Sequence, residues 1–575
     1  MSANSTFCSL LIMPLLAAGV GCSVPGHAIL AAETGTGETG GDTSTEPGTL
    51  TDSGGETNGD GDGDDPGEGD TADLDLPDDP ALVPSPACTI DPAQLDGALP
   101  CGLEPPSDVI APVTAWTWTG HDGEDSVLVT PLVANLDDDN GDGFVDLCDD
   151  PDIVVAAVHL PPGKTDPWPV GHLHLINGAS GATTRVIPTA IDASINPALA
   201  DLDGDGIPEI VALQAQGPNS PYQLTQRRLM GFRADGELAF AGEHWQLSRG
   251  GGAISIADLD NDGSPEILAP EYVTNATGQL LWAPSNPATA YSMPVAVDLD
   301  LDGDLEVLFG GTAYDHDGSW RFDTPTVPQD RGSVAVANFD DDEFPELYVQ
   351  HDGEHAVLEH DGTVKAVCPT GNVDISGAGG YPVAIRDLDG DGRAELVFGF
   401  QDKFYVLSIE ANACVLAWSK KTDAPEGLSS GTLFDFLDDG HAEAIYADRS
   451  RVKLYSSTGE LLFQINHSAR ESIANPVVAD VDGDGAAEIL IVSSAPLGAE
   501  SISPSLIVLE NADDRFAATR RVWNQHTYHH SNINEIGQVP SFEPPHWHAA
   551  NSFRANSHAY EGDLCIPPAL PAEGP

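Results

Sequence analysis

Nine residues recur along this chain in a form that leaves few folds open. Asp201-Leu-Asp-Gly-Asp-Gly-Ile-Pro-Glu209, Asp258-Leu-Asp-Asn-Asp-Gly-Ser-Pro-Glu266 and Asp298-Leu-Asp-Leu-Asp-Gly-Asp-Leu-Glu306 are three copies. Asp387-Leu-Asp-Gly-Asp-Gly-Arg-Ala-Glu395 and Asp480-Val-Asp-Gly-Asp-Gly-Ala-Ala-Glu488 are two more. Three further copies are degenerate: Asn338 to Glu346 has Glu343 in the glycine position, Asp435 to Glu443 has Leu437 in place of the second aspartate, and Asn135 to Asp146 carries an insertion. The copies start at 135, 201, 258, 298, 338, 387, 435 and 480, so most steps fall between 40 and 57 residues. Short apolar runs such as Pro382-Val-Ala-Ile385 and Pro476-Val-Val-Ala479 precede the loops, and Ile-, Val- and Leu-rich runs follow. Runs this short, β-rich and bounded by Gly or Pro are strands. An internal period near 45 residues with strands on both sides suits one four-stranded blade per repeat. The expected fold is all-β: a β-propeller of eight blades, with seven the close alternative.

A second repeat supports this division. Asn177-Gly, Asp235-Gly, Asn275-Ala-Thr-Gly278, Asp317-Gly, Asp361-Gly and Ser457-Thr-Gly459 sit between strand-like runs, as hairpin turns do. Trp282, Trp320 and Phe463 close several of these units, with Trp418 and Trp523 as less regular counterparts. The early stretch Ala115-Trp-Thr-Trp118 is placed to add a closing strand to the last blade.

The loops have the chemistry of a hard-cation site. Calcium takes six to eight oxygen ligands at about 2.3–2.6 Å in tolerant geometry. Residues 1, 3 and 5 of each loop can turn carboxylates inward, Gly at 6 permits the tight turn, the main-chain carbonyl at 7 is a further ligand, and Glu at 9 closes the site. The regular candidates are Asp201, Asp203, Asp205, Ile207 and Glu209; Asp258, Asp260, Asp262, Ser264 and Glu266; and Asp298, Asp300, Asp302, Asp304 and Glu306. Asp387, Asp389, Asp391, Arg393 and Glu395, then Asp480, Asp482, Asp484, Ala486 and Glu488, complete them. The irregular candidates are Asn338, Asp340, Asp342, Phe344 and Glu346; Asp435, Asp439, His441 and Glu443; and Asp137, Asp139, Asp142 and Asp146. Position 7 varies freely, as main-chain ligation allows. Zinc would call for His or Cys and magnesium for a stricter octahedron, so several Ca2+ ions, about one per blade, are expected. An EF-hand is excluded, because its Glu stands at loop position twelve between helices.

Charge fits the same picture. The formal net charge is −70, from 92 Asp+Glu against 22 Lys+Arg, and the first basic side chain is Lys164. Such a balance repels nucleic acid and anionic membranes. More than half of the acids lie in the eight loops or in a Gly/Thr/Asp-rich stretch between Leu30 and Pro80. That stretch cannot bury a core and reads as a solvated tether. Ahead of it, Leu10 to Val20 is an apolar run too short to span a bilayer, ending at Gly21-Cys22 after small residues. It resembles a bacterial lipoprotein processing site with Cys22 lipidated, although no Lys or Arg precedes the run and Gly19 stands where Leu is usual. The expected divisions are a leader over 1–22, a linker over 23–84, the propeller over 85–525 and a C-terminal strap over 526–575. With Cys8 and Cys22 set aside, six Cys remain, enough for three disulfides; Cys88–Cys101 and Cys368–Cys414 are expected from local reach.

The Asp-x-Asp-x-Asp-Gly-x-x-Glu cores, followed by an apolar strand and in two cases by Phe-Gly (Phe309-Gly310 and Phe398-Gly399), resemble the FG-GAP (VCBS) repeat family, which includes the integrin α-chain propellers. The resemblance covers roughly residues 105 to 525. It implies calcium in the loops and a recognition or adhesion role. The functional expectation is therefore an exported or cell-surface, calcium-binding adhesion module, not an enzyme, with a protein or glycan ligand. The competing readings are a propeller enzyme such as a polysaccharide lyase, and a purely structural surface module. No nucleophile elbow, zincin motif or phosphate loop is present. His526 and His530 stand four apart near the C-terminus, as helical metal ligands do, but Thr527 replaces a catalytic Glu and no amphipathic helix surrounds them, which favours a packed strap.

Overall fold

In the computed structural model the chain divides into two units, residues 1–78 and 79–575. The structure describes residues 99–100, 565–566 and 106–559, the last with interruptions at 142, 161–169, 216–224, 249–250, 285–291, 325–332, 341, 352–353, 369–381, 401, 411, 424–430, 470–472 and 496–503. The expected leader, Cys22, the linker, the Cys88–Cys101 pair and Asp142 lie outside the described residues.

Eight antiparallel sheets of four or five strands follow one another. Blade 3 shows the plan: Ser255–Ala257, Glu266–Ala269, Tyr272–Asn275 and Leu280–Trp282 pair in that order. The innermost strands of blades 1 to 8 begin at Leu132, Ala198, Ser255, Val295, Ser333, Ala384, Thr432 and Val477. Each of these strands neighbours the next in chain order. Blade 8 contains Val477–Ala479, Glu488–Val492 and Leu506–Asn511, and its outer strand is Pro112–Trp118 from the other end of the sequence. Trp116 lies opposite Val508, so the early Trp-rich stretch closes the ring as expected. Closure of this kind removes the exposed sheet edges that an open stack would leave.

Burial explains the apolar second strands. Glu443–Ala447 is buried throughout while the outer Leu461–Asn466 is exposed or half-buried, because the blades on either side cover the two faces of the inner strands. The core is accordingly formed between blades: Ala257, Leu268 and Val273 of blade 3 pack with Val307, Phe309 and Tyr314 of blade 4.

The aromatic residues beside the hairpins also act between blades. Trp282 lies over Gly318, in the turn of the following blade, so closely that a Cβ there would be 2.6 Å from the indole, and its Nε1–H donates to His316 O at 2.9 Å. Gly318 has φ 84°, so it is glycine for both conformation and space. Phe240 on Gly278, Phe322 on Gly362 and Trp418 on Gly459 repeat the arrangement. Trp116 on Gly181 repeats it across the ring seam. Two expectations are corrected here. Trp320 is 62% exposed, and Phe322 makes the contact in its place. Trp523 belongs to no blade; it lies in the C-terminal segment. Cys368 and Cys414 form the expected disulfide, joining the outer strands of blades 5 and 6, and Cys148 is also disulfide-bonded.

Residues 517–533 and 552–559 run along the axis of the ring, and the stretch between them crosses the acidic loops, where Gly537 O accepts Asp201 N–H and Trp547 Nε1–H donates to Glu343 O. Trp523 bridges to Val133 of blade 1, Leu199 N–H of blade 2 donates to Asn524 O at 2.8 Å, and Ile256 N–H of blade 3 donates to Gln525 Oε1 at 2.8 Å. Arg554 reaches Val334 O of blade 5 and Val383 O of blade 6, Thr432 of blade 7 donates to Arg554 O, and Asn556 donates to Val478 O of blade 8. A single segment bonded to strands on opposite sides of a ring occupies its centre. No helix forms over 526–530; the segment's one short helix is His546–Ala549.

Candidate metal centres

The register of the inner strands builds every loop in the same way. The residue at position 9 begins the second strand of its blade and pairs with the residue just before position 1: Glu209 with Ala200, Glu266 with Ala257, Glu306 with Val297, Glu346 with Ala337, Glu395 with Arg386, Glu443 with Phe434 and Glu488 with Ala479. Each of these glutamates accepts the backbone N–H of position 2, as at Leu202 (3.0 Å), Leu299 (2.8 Å) and Leu388 (2.9 Å). At position 1, Asp201 accepts from Gly204 and Gly206, Asp387 from Gly390 and Gly392, and Asp480 from Gly483 and Gly485, all at 2.7–3.1 Å. At position 5 the carboxylate accepts the N–H of position 7, as with Asp205 and Ile207 (2.9 Å), Asp262 and Ser264 (2.8 Å), Asp391 and Arg393 (2.9 Å), and Asp484 and Ala486 (2.7 Å).

These bonds draw acids together instead of letting them spread. Carboxylate oxygens of Asp201, Asp203 and Glu209 lie within 4.8 Å of one another, as do those of Asp258, Asp260 and Asp262, of Asp298, Asp300 and Asp302, and of Asp340, Asp342 and Glu346. The position-9 glutamates are buried. Burial, reinforced by the charge of the loop aspartates, pushes their carboxyls up, to about 7 at Glu209, Glu266 and Glu346 and about 8 at Glu306, Glu395 and Glu443. Glu488 is pushed up as well, for the same reasons. All-oxygen donors at this spacing, closed by a buried carboxylate, fit a hard divalent cation of calcium's size.

The irregular loops depart from the sequence expectation. In blade 1 the strand Asp152–Val158 begins at Asp152, which pairs with Ala134 and accepts Leu136 N–H at 3.2 Å. Asp152 thus holds position 9, and its carboxyl is pushed up to about 8 by burial and by Asp137 and Asp139. Asp146, expected to close this loop, caps Cys148 N–H at 2.9 Å instead. The insertion between positions 6 and 9 hid this register. In blade 7 the carboxylates of Asp435 and Asp438 meet His558 of the axial segment, with ligand atoms within 4.8 Å; Asp438 and His558 were not expected. Asp439 accepts His441 N–H at 3.0 Å, the position 5 role.

Three loops are bonded to basic side chains from their own blade. Arg233 is 2.7 Å from Asp203, and Arg321 bonds Asp300, Glu306 (2.6 Å) and Asp315 (3.0 Å). Lys365, 5% exposed, bonds Asp340, Glu346 (2.5 Å) and Glu359 (3.2 Å). Blade 5 also has Asn338 at position 1, which donates to Asp342 O (2.6 Å), and Glu343 in place of glycine. With an amide at position 1, no glycine at position 6 and the Lys365 ammonium against Asp340 and Glu346, this loop fits a metal ion poorly. Lys365→Gln is expected to cost about 3 kcal/mol in calcium-free buffer, because Glu346 is left buried without its partner. Urea denaturation measures this, and a change below about 0.5 kcal/mol would contradict it. By contrast, no Lys, Arg or His among the described residues forms an ion pair with the acids of the blade 3 loop (258–266) or the blade 6 loop (387–395).

Ring, loops and register together define an eight-bladed β-propeller with an acidic loop after the innermost strand of each blade. Residues 435–491, from the blade 7 loop into the second strand of blade 8, match the FG-GAP-like repeat family, so the propeller carries an FG-GAP-like repeat over that stretch. No curated protein matches it. Among solved structures, the V. cholerae biofilm matrix protein Bap1 is similar at a TM-score of 0.61 and 21% identity, over 78% of this chain and 99% of that one. A Bacillus licheniformis rhamnogalacturonan lyase is similar at a TM-score of 0.47 and 17% identity, over 77% and 80% of the two chains. The rhamnogalacturonan lyase YesW gives 0.47 and 15%, over 80% and 84%. At these identities the likeness is one of fold.

Proposed function

We propose that this chain is an exported, surface-associated binding module whose ring is stiffened by calcium in its acidic loops. The observation that carries the calcium reading is the position-9 glutamate, buried in blade after blade beside further carboxylates. Such a group is costly to ionise without a cation, and the recurring backbone bonds hold it in place for one. Calcium would be held by Asp258, Asp260, Asp262 and Glu266 in blade 3 and by the matching residues of the other regular loops.

The binding role draws on the axial segment. Enzymes and binders alike use the axis of a ring as a pocket, and here residues 517–533 and 552–559 fill it. Recognition of a protein or glycan is therefore assigned to the outer surface and loop tips, with Cys22 as the point of membrane attachment. Purified chain is to be screened on a glycan array and against acidic polysaccharides, with calcium and with EGTA. Calcium-dependent retention without turnover supports this reading; cleavage of any polysaccharide would overturn it. Glu395→Gln is the companion variant: it is expected to remove one calcium equivalent, counted by equilibrium dialysis, and an unchanged count would contradict the assignment of that loop.

A further inference from the structure

A second kind of ligand cluster lies at the seam where the ring closes, away from the acidic loops. The closing strand Pro112–Trp118 leads into a tight hairpin, His121-Asp-Gly-Glu124. His121 N–H donates to Glu124 O (3.2 Å) and Glu124 N–H to His121 O (3.0 Å). Asp122 (φ 51°) and Gly123 (φ 86°) take the left-handed conformations of a two-residue turn. His121 and Glu124 are thereby a directly opposed cross-strand pair.

Facing them is the blade 1 strand Val170–Asn177, in which His172 and His174 alternate and so share one side of the sheet. The Glu124 carboxylate stands between the two rings: Oε1 is 2.7 Å from His172 Nδ1 and Oε2 is 2.8 Å from His174 Nε2. The His121 ring lies 6.1 Å from that of His174, and the edge of Trp118 packs against His174 at 5.4 Å. His174 is buried, while His172 is 34% exposed, which leaves an approach from solvent.

We propose that His172, His174 and Glu124, with His121 as fourth ligand, form a transition-metal site, suited to Zn2+, that pins the closing hairpin to blade 1. The donor set separates it from the loops: imidazole nitrogens suit zinc, whereas calcium takes oxygen. The geometry is close. Tetrahedral Zn–N and Zn–O bonds of about 2.0–2.2 Å place neighbouring ligand atoms about 3.3 Å apart, so with one Glu124 oxygen on the ion the imidazole at that oxygen moves out by about 0.5 Å and the other imidazole turns from the second oxygen to the ion. The two residues of the hairpin and the two of the strand are each fixed by backbone pairing, so little ordering is left for the ion to impose. An ion here joins the segment that completes blade 8 to the third strand of blade 1.

The test uses the full chain, stripped of metal, returned to millimolar calcium and titrated with Co2+. The visible absorption of tetrahedral cobalt is expected to saturate at one equivalent and to bleach on addition of one equivalent of Zn2+. His172→Ala and Glu124→Gln are each expected to weaken uptake at least about tenfold. His172 is partly exposed, so its variant keeps the fold, which circular dichroism verifies. His548→Ala, an exposed histidine of the C-terminal segment, is expected to leave uptake unchanged. Absence of cobalt uptake, uptake that survives in both His172→Ala and Glu124→Gln, or uptake abolished by His548→Ala would each overturn the proposal. Because calcium is held constant, failure here is distinguishable from failure of the loop assignment.

Discussion

Chelation is expected to lower the melting temperature of this propeller by roughly 7 °C at neutral pH. An ion present at ten times its dissociation constant adds about 1.4 kcal/mol per site. Five regular loops then contribute about 7 kcal/mol, and an unfolding entropy near 2.1 cal/mol/K per residue over the about 450 residues between 106 and 559 converts this to about 7 °C. The pH dependence gives the prediction a sign. In the calcium-free chain the position-9 glutamates are pushed up to about 7 or 8, whereas in the unfolded chain they titrate near 4.3. Below about pH 4 both states are protonated and these groups cost nothing. As pH rises through about 4.3 to 8 the unfolded chain releases protons that the folded chain retains, so calcium-free stability falls across that window and levels off above it. A bound ion lets the glutamates ionise when folded, which removes the penalty and releases protons on binding. The gap between melting curves in calcium and in EDTA should therefore widen from pH 5 to pH 8.5. Scanning fluorimetry at several pH values measures it; a gap that narrows with pH would contradict the account.

Trp523→Ala is expected to cost about 3–5 kcal/mol, the usual range for emptying a buried tryptophan site. Trp523 is 1% exposed, stacks on Tyr528 at 4.7 Å between ring centres and pairs through its backbone with Val133. Its removal leaves a void on the axis, where inner strands of several blades converge and none can move inward alone. Trp320→Ala, at an exposed outer strand, should change stability by less than about 0.5 kcal/mol. Denaturant melts of the two variants compare them directly. Equal losses would mean that the axial segment is not part of the cooperative core.

The contrast between these two tryptophans shows where sequence reading stops. Features whose partners lie within one repeat were legible: the acids of the nine-residue loops, hairpin glycines, the apolar second strands, and through their count the eight blades. Apart from the Cys368–Cys414 disulfide, contacts between blades were not. Trp320 and Phe322 are two residues apart on one strand, and Phe322, opposite Ala313 as Trp282 is opposite Val273, is the one that reaches Gly362. Asp152 was hidden by the insertion that lengthens the first loop, which made Asp146, the last acid of the Asn135 to Asp146 copy, the natural closing residue. Lys365 and Arg321 enter their loops from the outer strand, about twenty residues away, and His558 comes from the axis. The seam cluster combines residues some fifty positions apart on two strands, with no spacing that marks them as ligands.

The most direct test of the central claim is a count of calcium. Full-length chain, gel-filtered at neutral pH in micromolar free calcium, is to be analysed by plasma emission for ions per chain. About five to seven are expected, with the Lys365 loop excluded. Fewer than one ion per chain, together with melting that is indifferent to EDTA, would contradict the claim that cations hold the acidic loops together.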